Sequence, residues 1–132
     1  MNLHYQYYWF KEVIPHDICD KIIQMGNKRI EQVKKNGNDA SGTTRGNGEK
    51  SKKNGKISMT MNLTDPKEYD GGKLKFDLSK THDSGIDIME IEEINRKGSI
   101  VFFPSFMSHT ITPITRGTRY SLVLWVLGQP WR

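Results

Sequence analysis

The sequence contains a single cysteine, Cys19, among 132 residues. This excludes an internal disulfide framework and is typical of proteins that stay in a reducing cytosol. The first ten residues, MNLHYQYYWF, have no basic stretch followed by a long apolar run, so they do not resemble a secretory signal. No apolar run approaches the ~18 residues that a membrane-spanning helix needs. These absences predict a soluble, cytoplasmic protein that does not enter a membrane.

The positive charge of the chain is concentrated in one segment. The net charge is +5, and residues 34–56 (KKNGNDASGTTRGNGEKSKKNGK) hold seven Lys and Arg against two Asp and Glu, which leaves 13 residues of each sign elsewhere. A segment so rich in Gly, Asn and Lys cannot bury a core and predicts a solvated linker. Clustered basic side chains also attract polyanions, but no aromatic residue is interleaved to stack on bases, so nucleic acid is not a favoured partner.

A short strand and one helix are predicted before this segment. The aromatic stretch YQYYWF (5–10) is typical of a strand. A helix is predicted to begin at Pro15, because proline suits the first helical position, and to end near Lys34 and Lys35, whose charge suits a helix C-terminus. The apolar stripe of this helix consists of Ile18, Ile22, Ile23, Ile30 and Val33.

The residues after the basic segment alternate in the way that β-strands do. Strands are predicted in ISMTMNL (57–63), KLKFDL (73–78), SGIDIMEIEEI (84–94) and SIVFF (99–103), separated by the turn-forming stretches TDPKEYDGG and NRKG. MSHTIT, a turn at PITRG, and TRYSLVLWVL (118–127) are predicted to form a closing hairpin. One N-terminal helix and about six antiparallel strands predict a mainly β sandwich or barrel of jelly-roll type.

The last predicted strand places its side chains on two faces. Alternation puts Arg119, Ser121, Val123 and Trp125 on one face and Tyr120, Leu122, Leu124 and Val126 on the other. Both faces are apolar beyond the first residues, so the sheet is predicted to be covered on both sides there. Arg119, at the start of the strand, is predicted to lie where a buried face meets the mouth of the barrel.

Arg119 and His109 are the candidate site residues. A buried arginine needs an anionic partner, because its charge cannot be lost by deprotonation. That partner is either a protein carboxylate, which makes Arg119 structural, or the carboxylate of a small acid, which a planar guanidinium grips through two parallel hydrogen bonds. A lone histidine is more often structural than a metal ligand. The predicted turn at residues 113–117 would bring His109 and Arg119 onto adjacent strands, which favours a site.

Two stretches carry a resemblance to a known family. SMTMNLTDPKEYDGGKLKF and RKGSIVFFPSFMSHTITPITRGTRYSLVLW resemble the C-terminal part of the Fe(II)- and 2-oxoglutarate-dependent dioxygenases, in particular the prolyl-4-hydroxylase-like branch of bacteria and phages. The matching features are the YDGG turn before a strand, the KGSIVFFPS strand, a histidine shortly after it, and an arginine ten residues further on. The resemblance covers residues 57–127 and implies a double-stranded β-helix, which is a jelly roll.

The resemblance implies a site and a reaction. His109 is similar in position to the second histidine of the family's facial triad of two histidines and one carboxylate, which binds iron. Arg119 is similar to the cation that holds the distal carboxylate of 2-oxoglutarate, with Ser121 assisting. The implied cofactors are Fe(II), 2-oxoglutarate as co-substrate, and ascorbate as an accessory reductant. The implied activity couples oxidative decarboxylation of 2-oxoglutarate to hydroxylation of a C–H bond in a peptidyl or small-molecule substrate.

The chain departs from the family at the rest of the triad. The family carries H-x-D or H-x-E on an upstream strand, and neither tripeptide occurs in this sequence. The 34–56 linker stands in place of that central segment, so the sequence predicts a single dioxygenase-like domain over residues 1–132 with an incomplete jelly roll. His82 and Asp83 are adjacent and would face opposite sides of a strand. His16 with Asp17 opens the helix and His4 is terminal. One histidine alone predicts weak iron binding and an inactive member of the family.

Two other functions are consistent with the residues. One is a non-catalytic β-barrel module that binds a small carboxylate through Arg119, with an affinity indifferent to iron. The other is a polyanion-binding protein that uses the basic linker, with steeply salt-dependent binding to DNA or RNA. Neither explains the order of the YDGG, FPS, histidine and arginine features.

Overall fold

A computed structural model of the chain describes residues 7–37, 55–77 and 88–129. The predicted linker is therefore described only at its two ends, and its character stays a prediction. His4, His82 and Asp83 also lie outside the described residues.

Helix α1 spans His16–Lys35 and follows a short strand, β1, at Tyr8–Phe10. Pro15 occupies the N-cap rather than the first helical position, so the helix begins one residue later than predicted. The helix packs through the fully buried Cys19 against residues of the central sheet. This cluster consists of Cys19, Met61, Leu63 and Ile100, with Ile14, Ile22, Ile23, Met59, Phe102, Tyr120 and Leu122 packed against it.

Eight further strands follow the helix. They are β2 (Gly55–Asn62), β3 (Tyr69–Gly71), β4 (Leu74–Asp77), β5 (Ile88–Glu90), β6 (Ile100–Pro104), β7 (His109–Ile111), β8 (Ile114–Gly117) and β9 (Ser121–Leu127). Short 3-10 helices precede β3, at Pro66–Glu68, and β6, at Glu93–Asn95. The strands form an antiparallel sheet in the order β1-β6-β2-β9, a second in the order β5-β4-β7, and the pair β3-β8.

The core lies between the two larger sheets. Phe76 of β4 is fully buried, and its ring contacts that of Phe103 of β6 edge-on at 5.0 Å between centroids. The buried residues of this cluster are Leu74, Phe76, Ile91, Ile94, Val101, Phe103 and Met107. The predicted fold class, mainly β with an N-terminal helix and antiparallel sheets in a jelly-roll-like arrangement, is confirmed.

The predicted closing hairpin is wrong. PITRG is not a turn between two paired strands, because its residues form β8, which pairs with β3. β7 pairs with β4 in one sheet, and β9 pairs with β2 in the other. Two glycines allow β3 and β8 to approach closely: Gly71 and Gly117 both have positive φ, and a Cβ on either would overlap a backbone carbonyl oxygen of the opposite segment. Pairing between segments distant in sequence therefore determines the structure of residues 113–117, and the turn propensity of their proline and glycine does not.

The outward face of β9 is only partly covered, so the prediction of cover on both sides is also wrong. Leu122 packs against the helix cluster, but Leu124 is 51% and Val126 58% exposed. β9 is the last strand of its sheet within the described part of the chain. Helix α1 covers the end of β9 near Leu122, and no described element extends that cover to Leu124.

The described part of the chain contains no helix that is both long and apolar enough to cross a membrane.

Candidate functional site

A cavity of about 400 Å³ lies between the two larger sheets. β2, β6 and β9 line one side of this cavity, and β4 and β7 line the other. The lining residues are Ser58, Thr60, Leu74, Phe103, Ser105, Met107, Ser108, His109, Ile111, Arg119, Ser121, Val123 and Trp125. The predicted site residues His109, Arg119 and Ser121 therefore share one cavity, but His109 and Arg119 reach it from two sheets and not from one hairpin.

His109 is oriented by a backbone carbonyl and by aromatic rings. Its Nδ1 lies 2.8 Å from the carbonyl oxygen of Met107. A carbonyl can only accept a hydrogen bond, so Nδ1 donates, and the Nε2 atom of the neutral ring keeps its lone pair. The imidazole packs edge-on against Phe103, with 4.8 Å between ring centroids. This is the orientation that a second hydrogen bond gives to metal-binding histidines.

Arg119 has an enclosed donor without a protein partner. Its Nε atom is buried and makes no hydrogen bond, and no ion pair joins Arg119 to any carboxylate among the described residues. A buried donor left unpaired costs about 1–3 kcal/mol, and more when it is charged. Within the described ranges the structural alternative, a protein carboxylate that neutralises Arg119, is therefore absent.

Arg116 provides a contrast three residues earlier. Its Nε donates to Oδ2 of Asp70 at 2.6 Å, and a terminal nitrogen donates to Oδ1 at 3.1 Å. The hydrogen bond from Arg116 holds the pKa of the Asp70 carboxyl below its ordinary value. Both side chains are exposed. One arginine of the segment thus has a protein carboxylate, and the other lines the cavity without one among the described residues.

The backbone beside Arg119 is held on both sides of the next residue. The Tyr120 N–H donates to Oγ1 of Thr64 at 2.8 Å, and the Tyr120 carbonyl accepts from the N–H of Leu63 at 3.0 Å. Gly72 lies against the side chain, since a Cβ at Gly72 would come 2.7 Å from Cδ of Arg119. The backbone from which the Arg119 side chain extends is therefore held by fixed neighbours before any ligand binds.

Hydroxyl groups extend along the cavity from Arg119. Ser121 stands opposite Asn62 in the β2–β9 register, and the buried Ser58 shares a hydrogen bond of 2.9 Å with Ser105. The lining face of β9 carries Ser121, Val123 and Trp125, and Arg119, two residues before the strand begins, lines the same cavity, as the predicted alternation indicates.

Sequence reasoning missed the polar face of β2. The alternation in ISMTMNL predicted the strand, but Ser58, Thr60 and Asn62 are all buried. The signal available was a row of polar side chains, Ser58, Thr60 and Asn62, on a strand next to the YDGG motif. Gly72 belongs to the YDGG motif, but neither Gly72 nor Thr64 carried a signal for a contact with the Arg119 segment, because those contacts cross the fold.

The donor set of the cavity does not fit an iron ion by itself. His109 is the one residue of the lining that belongs to the usual ligands of a facial triad. Nowhere in residues 7–37, 55–77 and 88–129 do three His, Cys, Asp or Glu side chains come together as a metal site. His16 and Asp17 open helix α1 and do not line the cavity. The roles of His109, Arg119 and Ser121 stay predictions.

Comparisons with known proteins give the family. A PKHD-type hydroxylase of Synechococcus sp. (strain JA-2-3B'a(2-13)) is 36% identical over 70 residues, covering 53% of this chain and 28% of the relative. A PKHD-type hydroxylase of Cupriavidus metallidurans is 37% identical over 70 residues, covering 52% of this chain and 27% of the relative. The chain thus matches little more than a quarter of the length of these curated relatives.

A solved structure is more distantly similar. An oxidoreductase of the 2OG-Fe(II) oxygenase family from Burkholderia pseudomallei is 18% identical, with a TM-score of 0.43 over 57% of this chain and 33% of that chain. A similarity at that level is too weak to assign a family. The family model of the 2OG-Fe(II) oxygenase superfamily, however, matches residues 32–127, well over half of the 132 residues. On that match, the chain belongs to the 2OG-Fe(II) oxygenase superfamily.

Proposed function

We propose that the cavity binds 2-oxoglutarate and that Arg119 grips its distal carboxylate. Arg119 lines the cavity that His109 also lines and has no carboxylate partner among the described residues, and this observation carries the proposal. A planar guanidinium binds a carboxylate through two parallel charge-assisted hydrogen bonds. Ser121 begins β9 two residues after Arg119, on the same lining face, and its hydroxyl is available to the same carboxylate.

The apolar part of the lining strengthens this binding. Val123 and Trp125 line the cavity from β9, and Leu74 and Ile111 line it from the opposite sheet. Leu74 is buried while Ile111 and Val123 are partly exposed, so these side chains lower the local dielectric only in part, and an ion pair gains strength as the dielectric falls. The charged end of the ligand would therefore lie at Arg119, and its aliphatic carbons along β9.

Hydroxylation is a further proposal, supported by family membership. In the superfamily, bound Fe(II) would let dioxygen and 2-oxoglutarate together oxidise a C–H bond, and His109 is the proposed ligand from this chain. The proposed substrate is peptidyl or a small molecule, as in the prolyl-4-hydroxylase-like branch, and the proposed setting is the cytoplasm, with ascorbate as an accessory reductant. This activity requires iron ligands in addition to those that the described residues provide. We therefore assign to the described site the binding of the co-substrate.

Calorimetric titration tests the binding proposal directly. 2-Oxoglutarate is expected to give saturable heat with one site per chain, because its carboxylate satisfies Arg119. Dimethyl 2-oxoglutarate, which has the same carbon skeleton without charge, is expected to give none. Equal binding of the acid and its diester would contradict a carboxylate site at Arg119.

Gly72→Ala is expected to weaken 2-oxoglutarate binding about tenfold, which corresponds to about 1.4 kcal/mol. The added Cβ would lie 2.6 Å from Cδ1 of Ile114 and 2.7 Å from Cδ of Arg119, so the Arg119 side chain must move. Gly37→Ala is the matched control, since Gly37 also has positive φ but has nothing within 4 Å of the added atom. An equal loss of affinity in both variants would show that backbone strain, and not the position of Arg119, is responsible.

A further inference from the structure

We propose that this cavity binds small carboxylic acids without a metal ion, so that the 2-oxo group of 2-oxoglutarate adds nothing to the affinity. The inference rests on the proposed function and extends it to a ligand class: short aliphatic mono- and dicarboxylates. A site that chelates iron prefers 2-oxo acids, because the 2-oxo group and its neighbouring carboxylate both bind the metal. A site built on Arg119 alone has no such preference.

The cavity contains groups of two kinds: a possible metal ligand and groups that bind a carboxylate. On the metal side, the cavity lining offers His109 alone, and one imidazole holds a divalent ion weakly compared with a triad. On the carboxylate side, the lining offers Arg119, which has no carboxylate partner among the described residues, together with the hydroxyl of Ser121. The described residues therefore supply the groups that a carboxylate needs, but only one ligand for a metal ion.

Arg119 is organised for an anion before a ligand arrives. Its backbone is fixed through Tyr120, which bonds Thr64 and Leu63, and its side chain passes over Gly72. A ligand that meets a group already in position loses less affinity to the cost of ordering it. The guanidinium, which has no carboxylate partner among the described residues, also gains one when a ligand enters. Neither gain involves a metal ion.

The lining residues away from Arg119 determine which chemical groups the cavity accepts at the other end of the ligand. Arg119 is the one permanently charged side chain among the described lining residues, and the others are apolar or hydroxyl-bearing, apart from His109. The far end of the cavity carries the hydroxyl pair of Ser58 and Ser105, which can bond a neutral or a charged oxygen. A second carboxylate is therefore accepted but not required.

Two ligands with and without a metal test this inference. The probes are 2-oxoglutarate and glutarate, which differ only by the 2-oxo group, each titrated into the full chain with EDTA and with saturating Mn(II). The two acids are expected to bind with affinities within about threefold of each other, or about 0.7 kcal/mol, under both conditions. Arg119→Gln should weaken both acids equally.

The possible outcomes are distinct. A rise of about tenfold or more in 2-oxoglutarate affinity with Mn(II), without a rise for glutarate, would overturn the inference and leave the proposed function standing. An anaerobic mixture with Fe(II) and 2-oxoglutarate that developed the visible charge-transfer band of the chelate, lost in His109→Ala, would overturn it in the same way. Failure of both acids to bind under any condition would instead refute the proposed function.

Discussion

2-Oxoglutarate is expected to bind the Arg119→Gln variant about a hundredfold more weakly than the unchanged chain. Glutamine retains a polar side chain of moderate length but replaces the charged fork by a neutral amide. Each hydrogen bond to a charged group is worth about 1.5–3 kcal/mol, and two such bonds are lost. A loss of about 2.7 kcal/mol already corresponds to a hundredfold change in the dissociation constant, measured by calorimetry.

Arg116→Gln is the matched control for this substitution. Arg116 is close in sequence and carries the same charge, but it is exposed and paired with Asp70. Its replacement should change the dissociation constant less than about twofold, because exposed charges at a distance are screened. If both variants lost affinity equally, the effect of Arg119 would be one of net charge. If neither variant lost affinity, 2-oxoglutarate would bind elsewhere.

The fold could be predicted from the sequence where the pattern was local. Strict alternation in ISMTMNL and the apolar run SIVFF predicted β2 and β6, because period-2 patterns and β-branched runs report directly on strands. The prediction for PITRG, made from local residue preferences in the same way, was wrong. Proline and glycine there indicate a turn when only neighbouring residues are considered, but the segment pairs with Tyr69–Gly71, more than forty residues earlier.

Some residues of the candidate site could likewise be predicted from the sequence, and others could not. The sequence pointed to His109 and Arg119 through residue type and spacing, and strand parity correctly placed Ser121 on the same face as Arg119. The residues that position Arg119 could not be found this way. Thr64 and Gly72 act through contacts across more than forty residues of sequence, and a threonine or glycine in a turn has many reasons to be there.

The YDGG stretch connects the fold to the site. Its first glycine allows β3 to approach β8, and its second allows the side chain of Arg119 to pass over the turn. The two positions therefore predict different failures: substitution of Gly72 should chiefly affect ligand binding, and substitution of Gly71 should chiefly affect stability. The two substitutions would therefore distinguish the role of Gly72 in positioning Arg119 from the role of Gly71 in the pairing of β3 with β8.

Gly71→Ala is expected to lower the free energy of unfolding by about 3 kcal/mol. The φ of Gly71 is +82°, in the left-handed region, where an L side chain costs about 1–2 kcal/mol. The new Cβ would also overlap the carbonyl oxygen of Pro113, which is backbone and cannot swing away, so the β3–β8 pair must separate. Forcing apart packed segments costs about 1–3 kcal/mol more. Thermal unfolding should shift downward by roughly 10 °C.

Gly26→Ala supplies the opposite expectation from the same chemical change. Gly26 lies inside helix α1, has no positive φ and has nothing within 4 Å of an added Cβ. Alanine there should raise the free energy of unfolding by about 0.5–1 kcal/mol, because glycine loses more backbone entropy in a helix. Opposite signs at the two positions, measured by denaturant unfolding, would show that close approach at Gly71 governs the effect. A stable Gly71→Ala variant would mean that β3 and β8 do not pair as described.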